Sequence, residues 1–226
     1  MTGRRRHWLG QAALAYEAAG RLHDAARCRQ EAGEPLPAAE LYERAGELEV
    51  AAACYLRAGS VAEAARCHLA MGRPEAAADC WERVGRPLEA AWILIVAARK
   101  PERGGWVLRA HVPGTLGQRL RHDVALAMCA ALPGEGGGDT GPLAAALAAV
   151  ERDLDQVRPA AERLLVERWA VEAATEVARY DLAALVFAAA HRSGLRGAAG
   201  RWRAWAERAL GGTSGIPVET EERRAG

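Results

Sequence analysis

Cysteine, histidine and a glycine-rich stretch are the parts of this 226-residue sequence that could do chemistry beyond packing. Cys28, Cys54 and Cys80 lie twenty-six residues apart, with Cys67 midway between two of them. A structural zinc site is expected to draw two ligands from a Cys-x-x-Cys or Cys-x-x-His turn, and neither pair occurs. Cys67 and His68 are adjacent, so on a helix they point to different sides. The six histidines, His7, His23, His68, His111, His122 and His191, are scattered, and only His122 has a carboxylate neighbour, Asp123. Neighbours in sequence diverge on a helix, which leaves that pair without acid–base geometry. The stretch Pro133-Gly134-Glu135-Gly136-Gly137-Gly138-Asp139-Thr140-Gly141 lacks the Gly-Lys-Ser/Thr ending and the preceding strand of a phosphate loop. It reads as a flexible linker. No His-Glu-x-x-His or Gly-x-Ser-x-Gly string is present. The sequence therefore assigns no catalytic, cofactor-binding or metal residue, expects no cofactor, and reads as a protein that is not an enzyme.

What positions the cysteines is a repeat. Gly20, Gly33, Gly46, Gly59, Gly72 and Gly85 are spaced thirteen residues apart, and an Ala-Ala pair stands five and six places after each. His7 fills the glycine slot of an earlier copy carrying Ala12 and Ala13, which makes seven units. The ninth place holds Tyr16, Arg29, Tyr42, Tyr55, His68, Trp81 or Leu94, and the twelfth is small or apolar throughout, from Ala19 to Ala97. Places two, five, six, nine and twelve share one face of an α-helix. The cysteines occupy place eight, where other units put Ala15, Leu41 or Ile93. A position that accepts all four types is apolar packing, with cysteine acting as a small hydrophobe.

One long helix through these units is excluded by cost, at about 1 kcal/mol for each interior glycine and about 3 kcal/mol for each proline. Glycine just past a helix and proline in the first turn of the next are favoured placements instead, and Gly33-Glu34-Pro35, Gly72-Arg73-Pro74 and Gly85-Arg86-Pro87 follow that order. Each unit is thus a helix of about ten residues, too short to stand alone in water. The helices must stack as a solenoid.

Strings such as Ala38-Ala39-Glu40-Leu41-Tyr42-Glu43-Arg44-Ala45-Gly46 and Ala52-Ala53-Cys54-Tyr55-Leu56-Arg57-Ala58-Gly59 resemble the tetratricopeptide-like helices of soluble NSF attachment proteins and related scaffolds. The resemblance covers the first hundred residues or so. A helical pair here takes two thirteen-residue units against the usual thirty-four residues, and none of that family's peptide-clamp residues carries over. The resemblance implies an adaptor or scaffold without chemistry of its own, a helper of a larger ATP-driven or signalling machine.

Composition agrees with an all-α chain. Half the residues are apolar, alanine dominates, and no alternating β-branched run appears. The formal net charge of +1 creates no field for nucleic acid or anionic lipid. Lys100 is the one lysine, and arginine supplies the other positive charges, as a GC-rich bacterial genome would dictate. Arg4, Arg5 and Arg6 offer a basic arm, but no apolar run follows them to make a signal sequence, and no stretch reaches the length of a membrane span.

Further expectations concern regions. Residues 1–98 should form the solenoid, and the apolar outward places of its seventh unit, Leu88, Trp92, Ile95 and Val96, call for a cap. Residues 99–210 should form a helical bundle that supplies it, with the linker at 133–141 and a disordered tail at 211–226. Within that bundle Pro101 to Gly105 reads as a break, and Thr115 as the N-cap of a helix to about Leu132. Pro159 opens a helix with Ala161, Leu165, Trp169, Ala173 and Val177 on one stripe. Asp181 caps the next, where Leu182, Leu185, Val186 and Ala189 share a face, and Trp202, Trp205, Ala206 and Ala209 line the last. The expected work is non-enzymatic protein–protein interaction in the cytoplasm, the partner being another protein or multiprotein complex, with no membrane and no small-molecule substrate. The alternative is a nucleic-acid-associated helical repeat that uses the arginine arm.

Overall fold

The thirteen-residue period is built by one turn, used six times. In the computed structural model, which describes residues 3–132 and 138–212, the six repeat glycines all have φ between 69° and 82°. An L side chain adopts this left-handed region only at a cost of about 1–2 kcal/mol. Each glycine N–H returns to the carbonyl three residues back and the next N–H to the carbonyl five back, as in Gly46 to Glu43 and Glu47 to Tyr42. This double closure satisfies the loose carbonyls of one helix. The residue after the glycine then starts the next helix, its carbonyl accepting from the second alanine's predecessor, as Glu47 does from Ala51. Two residues thus reverse the chain.

The helices so joined are α1 (Gly3–Ala18), α2 (Leu22–Glu31), α3 (Pro35–Arg44), α4 (Leu48–Ala58), α5 (Val61–Ala70), α6 (Pro74–Arg83) and α7 (Pro87–Val96). Each packs on the next. From Ala25-Ala26 to Ala90-Ala91 every residue of the alanine pairs is buried, so the pairs form the seam where backbones approach. Tyr42 and Tyr55 are buried as the spacing predicts, and Trp81 is half-buried. The twelfth place departs from expectation. Ala45, Val84 and Ala97, each the cap of its helix, are exposed there, whereas Ala32, also a cap, is buried. Place eight takes its share of the burial with Leu41, Cys54, Cys67 and Cys80.

The chain divides into two compact units, Met1–Ala98 and Arg99–Gly226. The second contains α8 (Pro101–Arg109), α9 (Leu116–Ala131), α10 (Gly141–Asp153), a 3₁₀ turn (Leu154–Gln156), α11 (Ala160–Glu176), α12 (Tyr180–Arg192) and α13 (Ala198–Leu210). Among the described residues there is no strand. Helix α9 packs on α8, α10 and α11, and α12 on α10, α11 and α13. The core between them is aliphatic, with Val124, Met128, Leu143, Leu147 and Val186 fully enclosed. At Gly117 helices α9 and α11 approach so closely that a β-carbon would stand 2.4 Å from Glu162 Cγ. Beside it the buried Arg121 donates to Glu162 at 2.7 Å and lies 4.9 Å from the Trp169 ring centre.

Several expectations need correction here. Pro101 to Gly105 is no break but the first half of α8, another copy of the repeat helix. Arg99 takes the glycine slot at φ 54°, Lys100 starts the helix with the same backbone angles as Arg86, and Gly104-Gly105, both buried, replace the alanine pair. Helix α12 is a further copy: Ala178 stands left-handed at φ 56°, Ala183-Ala184 follow, and Phe187 holds place nine. Arg179 caps α12, with Asp181 inside its first turn. On α12 Leu185 is exposed and Phe187 buried, and on α11 Ala161 is exposed while Val166, Glu167 and Ala170 join the core. Thr115 does cap α9, accepting from the Gln118 N–H. Most of the expected linker, residues 133–137, and the tail from residue 213 lie outside the described residues.

Candidate interaction groove

The functional candidates of the sequence mostly fold into structural roles. Arg4, Arg5 and Arg6 form the opening turn of α1 rather than an arm, with Arg5 3.9 Å from Glu31 and Arg6 3.5 Å from Glu34. Four cysteines sit at place eight, and burial pushes the thiols of Cys28, Cys67 and Cys80 up from their ordinary range. Cys129 on α9 is likewise shifted up by burial and donates to the Pro101 carbonyl at 3.4 Å, tying α9 to the start of α8. His122 approaches the Leu108 carbonyl at 3.2 Å and Asp123 at 3.3 Å, so its ring links α9 to α8. Among the described residues no three His, Cys, Asp or Glu side chains gather where they could hold a metal ion.

The solenoid carries a ladder of polar contacts between alternate helices. Tyr55 donates to Glu43 Oε2 at 2.8 Å, and Arg66 forks onto both oxygens of that carboxylate at 2.5 and 2.8 Å. One carboxylate thus ties α3, α4 and α5. Arg66, and to a lesser degree Tyr55, hold the Glu43 carboxyl below the usual carboxylate range, while burial and Glu43 push the Tyr55 phenol up. Tyr42 makes the same reach to Gln30 at 3.1 Å, and His23 with Glu47 and Arg73 with Glu49 bridge helices two units apart.

A recess of about 560 Å³ lies in the second unit, between α11 and α13. Side chains of α11 and α13 line its two sides, and α12 contributes Phe187. The α11–α12 turn repeats the solenoid turn, and Arg179 locks its start by a fork onto Asp181 at 2.9 and 2.8 Å. Phe187 on α12 forms the floor with Val171 and the edge of Trp205. Rings pack behind that floor, with Phe187 5.6 Å from both Trp202 and Trp205, and Trp202 5.4 Å from Trp205. These tryptophans, 3% and 6% exposed, are core first, and only the edge of Trp205 meets the recess.

Polar groups fix the two walls. Glu167, 1% exposed on α11, is held by the Arg201 guanidinium of α13 through paired bonds of 2.7 and 2.5 Å. A buried carboxylate left alone would be very costly, so this fork is what permits Glu167 to be there. Further along, the Trp205 indole N–H donates to Thr175 Oγ1 at 2.9 Å, and that hydroxyl donates to the Val171 carbonyl at 2.7 Å. The acids on the rim are engaged, Glu176 by Arg99 at 2.6 Å and Glu172 by a further contact. Arg168 and Arg208, both exposed on opposite rims, have no ion-pair partner among the described residues. The recess is therefore apolar below, with two bases, Arg168 and Arg208, and two acids, Glu172 and Glu176, above. Periodicity pointed to Trp202 and Trp205, but Glu167, Arg201 and Thr175 were missed. A Glu and an Arg thirty-four residues apart carry no local signal of meeting.

Comparison with protein-family models, with curated proteins and with solved structures finds no match for this chain.

Proposed function

We propose that this chain is a non-enzymatic scaffold or adaptor that holds another protein on its helical surface, with the α11–α13 groove as the docking site. The observation that carries this reading is the groove itself: an aromatic and aliphatic floor between cross-bonded walls, rimmed by charged side chains of both signs, Arg168, Arg208, Glu172 and Glu176. Protein recognition uses this combination of a small apolar anchor site and charged rim. The resemblance of residues 38–46 and 52–59 to the helices of soluble NSF attachment proteins supports the same class of work. Five free thiols fit a reducing, cytoplasmic setting, and no helix among the described residues is long and apolar enough to cross a membrane.

Affinity purification from the native host tests the reading. Ala204 is exposed on the groove wall, so Ala204→Glu should block docking without unfolding α13. Ala53→Glu, on the exposed side of α4, serves as the control. The expected result is a set of proteins captured by the wild type and by Ala53→Glu and lost with Ala204→Glu at unchanged helicity. Capture of the same set by all three would reject the groove as the docking site.

A further inference from the structure

We infer that the open face of α1 docks an acidic amphipathic helix of a partner protein, which takes the place that the preceding helix takes on each later unit. The inference does not rest on the α11–α13 groove. Helices α2 to α6 each pack on the helix before and the helix after, whereas α1 packs chiefly on α2. The repeat positions show the consequence. Place five is fully buried from Ala25 to Ala90, but Ala12 is only half-buried. Place eight is buried at Leu41, Cys54, Cys67 and Cys80, but Ala15 is exposed. Ala13 at place six is fully buried like its equivalents, so the opening is confined to one face. Trp8, Ala12, Ala15 and Ala19 recur on that face at i, i+4, i+7 and i+11, with Trp8 66% exposed.

The polar groups of the face set the chemistry of what docks. Arg4 and Arg5, one turn before Trp8, line with Trp8, Leu9 and Ala12 a recess of about 490 Å³ that no acid among the described residues lines. Arg4 has no ion-pair partner among the described residues, and Arg5 reaches Glu31 only at 3.9 Å, with both side chains exposed. The opening turn of α1 is the basic spot of the first unit, because residues 7–98 carry nine arginines against thirteen acids. Carboxylates are therefore drawn to this face and repelled from the rest of the unit. The same surplus of acids disfavours nucleic acid, whose charge is far denser. Tyr16 adds a directional group. Tyr42 and Tyr55, at the same place nine, donate to Gln30 and Glu43 on the preceding helix. Tyr16, half-buried with the Arg21 guanidinium 4.8 Å from its ring centre, has no hydrogen-bond partner for its hydroxyl among the described residues. A docked helix with a Glu opposite Tyr16 completes the ladder, and its apolar stripe covers Trp8, Ala12 and Ala15 as helix-in-groove recognition does.

Fluorescence anisotropy with the full-length chain tests this. The probe is a labelled peptide of about twenty residues, long enough to be helical in water, with Leu and Ala on one face and Glu on its flanks. Its twin carries Lys in place of Glu. The Glu peptide should bind saturably with a dissociation constant of about 0.1 mM or below, and about tenfold more tightly than the twin. The double variant Arg4→Glu, Arg5→Glu should invert that preference, and Ala15→Glu should abolish binding at unchanged helicity. Tyr16→Phe, which keeps the ring, should weaken binding about fivefold. Ala53→Glu on α4 should bind like the wild type. No saturation by about 1 mM, or equal affinity for the two peptides, would overturn the inference. So would displacement of the peptide by a single-stranded oligonucleotide with a steep salt slope, which would give the face to nucleic acid. A dimer of the chain that Ala15→Glu dissociates would give it to a second copy and overturn the inference too. Capture with Ala204→Glu reads the α11–α13 groove and this titration reads α1, so each reading can fail without the other.

Discussion

Tyr55 and Glu43 show how one side chain does two jobs in the repeat. The ring fills the ninth-place pocket and the hydroxyl closes onto the preceding helix. Tyr55→Phe keeps the ring and should cost about 1 kcal/mol, the net worth of a hydrogen bond. Tyr55→Ala should cost about 3–5 kcal/mol, because it also leaves a cavity. Urea unfolding of the two variants separates the contributions, and equal costs would show that packing is irrelevant at place nine. The Glu43 carboxyl adds a pH dependence. Its pKa is lower in the folded state than in the unfolded chain, where it titrates near 4.5. Its stabilising effect is therefore present above that value and is lost as pH falls through the lower folded value. Arg66→Gln should reduce stability at pH 7, and the gap from wild type should shrink as the pH drops below about 4. A gap that is constant down to pH 2 would contradict the pairing.

At the scale of the element, the turn decides which substitutions are tolerated. Gly46 at φ 82° and Ala178 at φ 56° occupy the same slot of the same turn, and only one is glycine. Gly46→Ala should destabilise by about 1 kcal/mol, and Gly46→Val by more, since the β-branch adds crowding. Ala178→Gly relieves the left-handed strain and should stabilise by up to about 1 kcal/mol. Opposite signs in thermal unfolding are the expected outcome, and the same sign at both sites would mean that the turns are not equivalent. The repeat was legible from Gly20 to Ala97 because glycine and alanine mark it in fixed register. It was lost at α8 because Arg99 follows Gly85 by fourteen residues instead of thirteen and glycines stand for the alanine pair. The echo of Arg86-Pro87 in Lys100-Pro101 was the signal that remained.

At the scale of the molecule, the first unit is a stack in which each helix meets chiefly its neighbours. Damage should therefore stay local. Ala78, fully buried in the seam of α6, leaves no room for a larger side chain, and Ala78→Leu should cost about 1–3 kcal/mol. Hydrogen exchange should quicken in α5, α6 and α7 while α2 and α3 hold their wild-type protection. Uniform acceleration from α2 to α7 would show a single cooperative body in place of a stack.

The sequence by itself determined the helical class, the thirteen-residue unit, the position of the six glycine turns and the buried alanine seam. All of these depend on contacts close in the chain, where residue type and period act directly. The tertiary structure alone decided where place twelve ends up, that Glu167 belongs in the core, and that α11 and α13 enclose a groove. Those outcomes depend on which distant groups meet. Glu167 looks like one more solvated carboxylate until Arg201, a full helix away in the chain, is brought within 2.7 Å and makes its burial affordable.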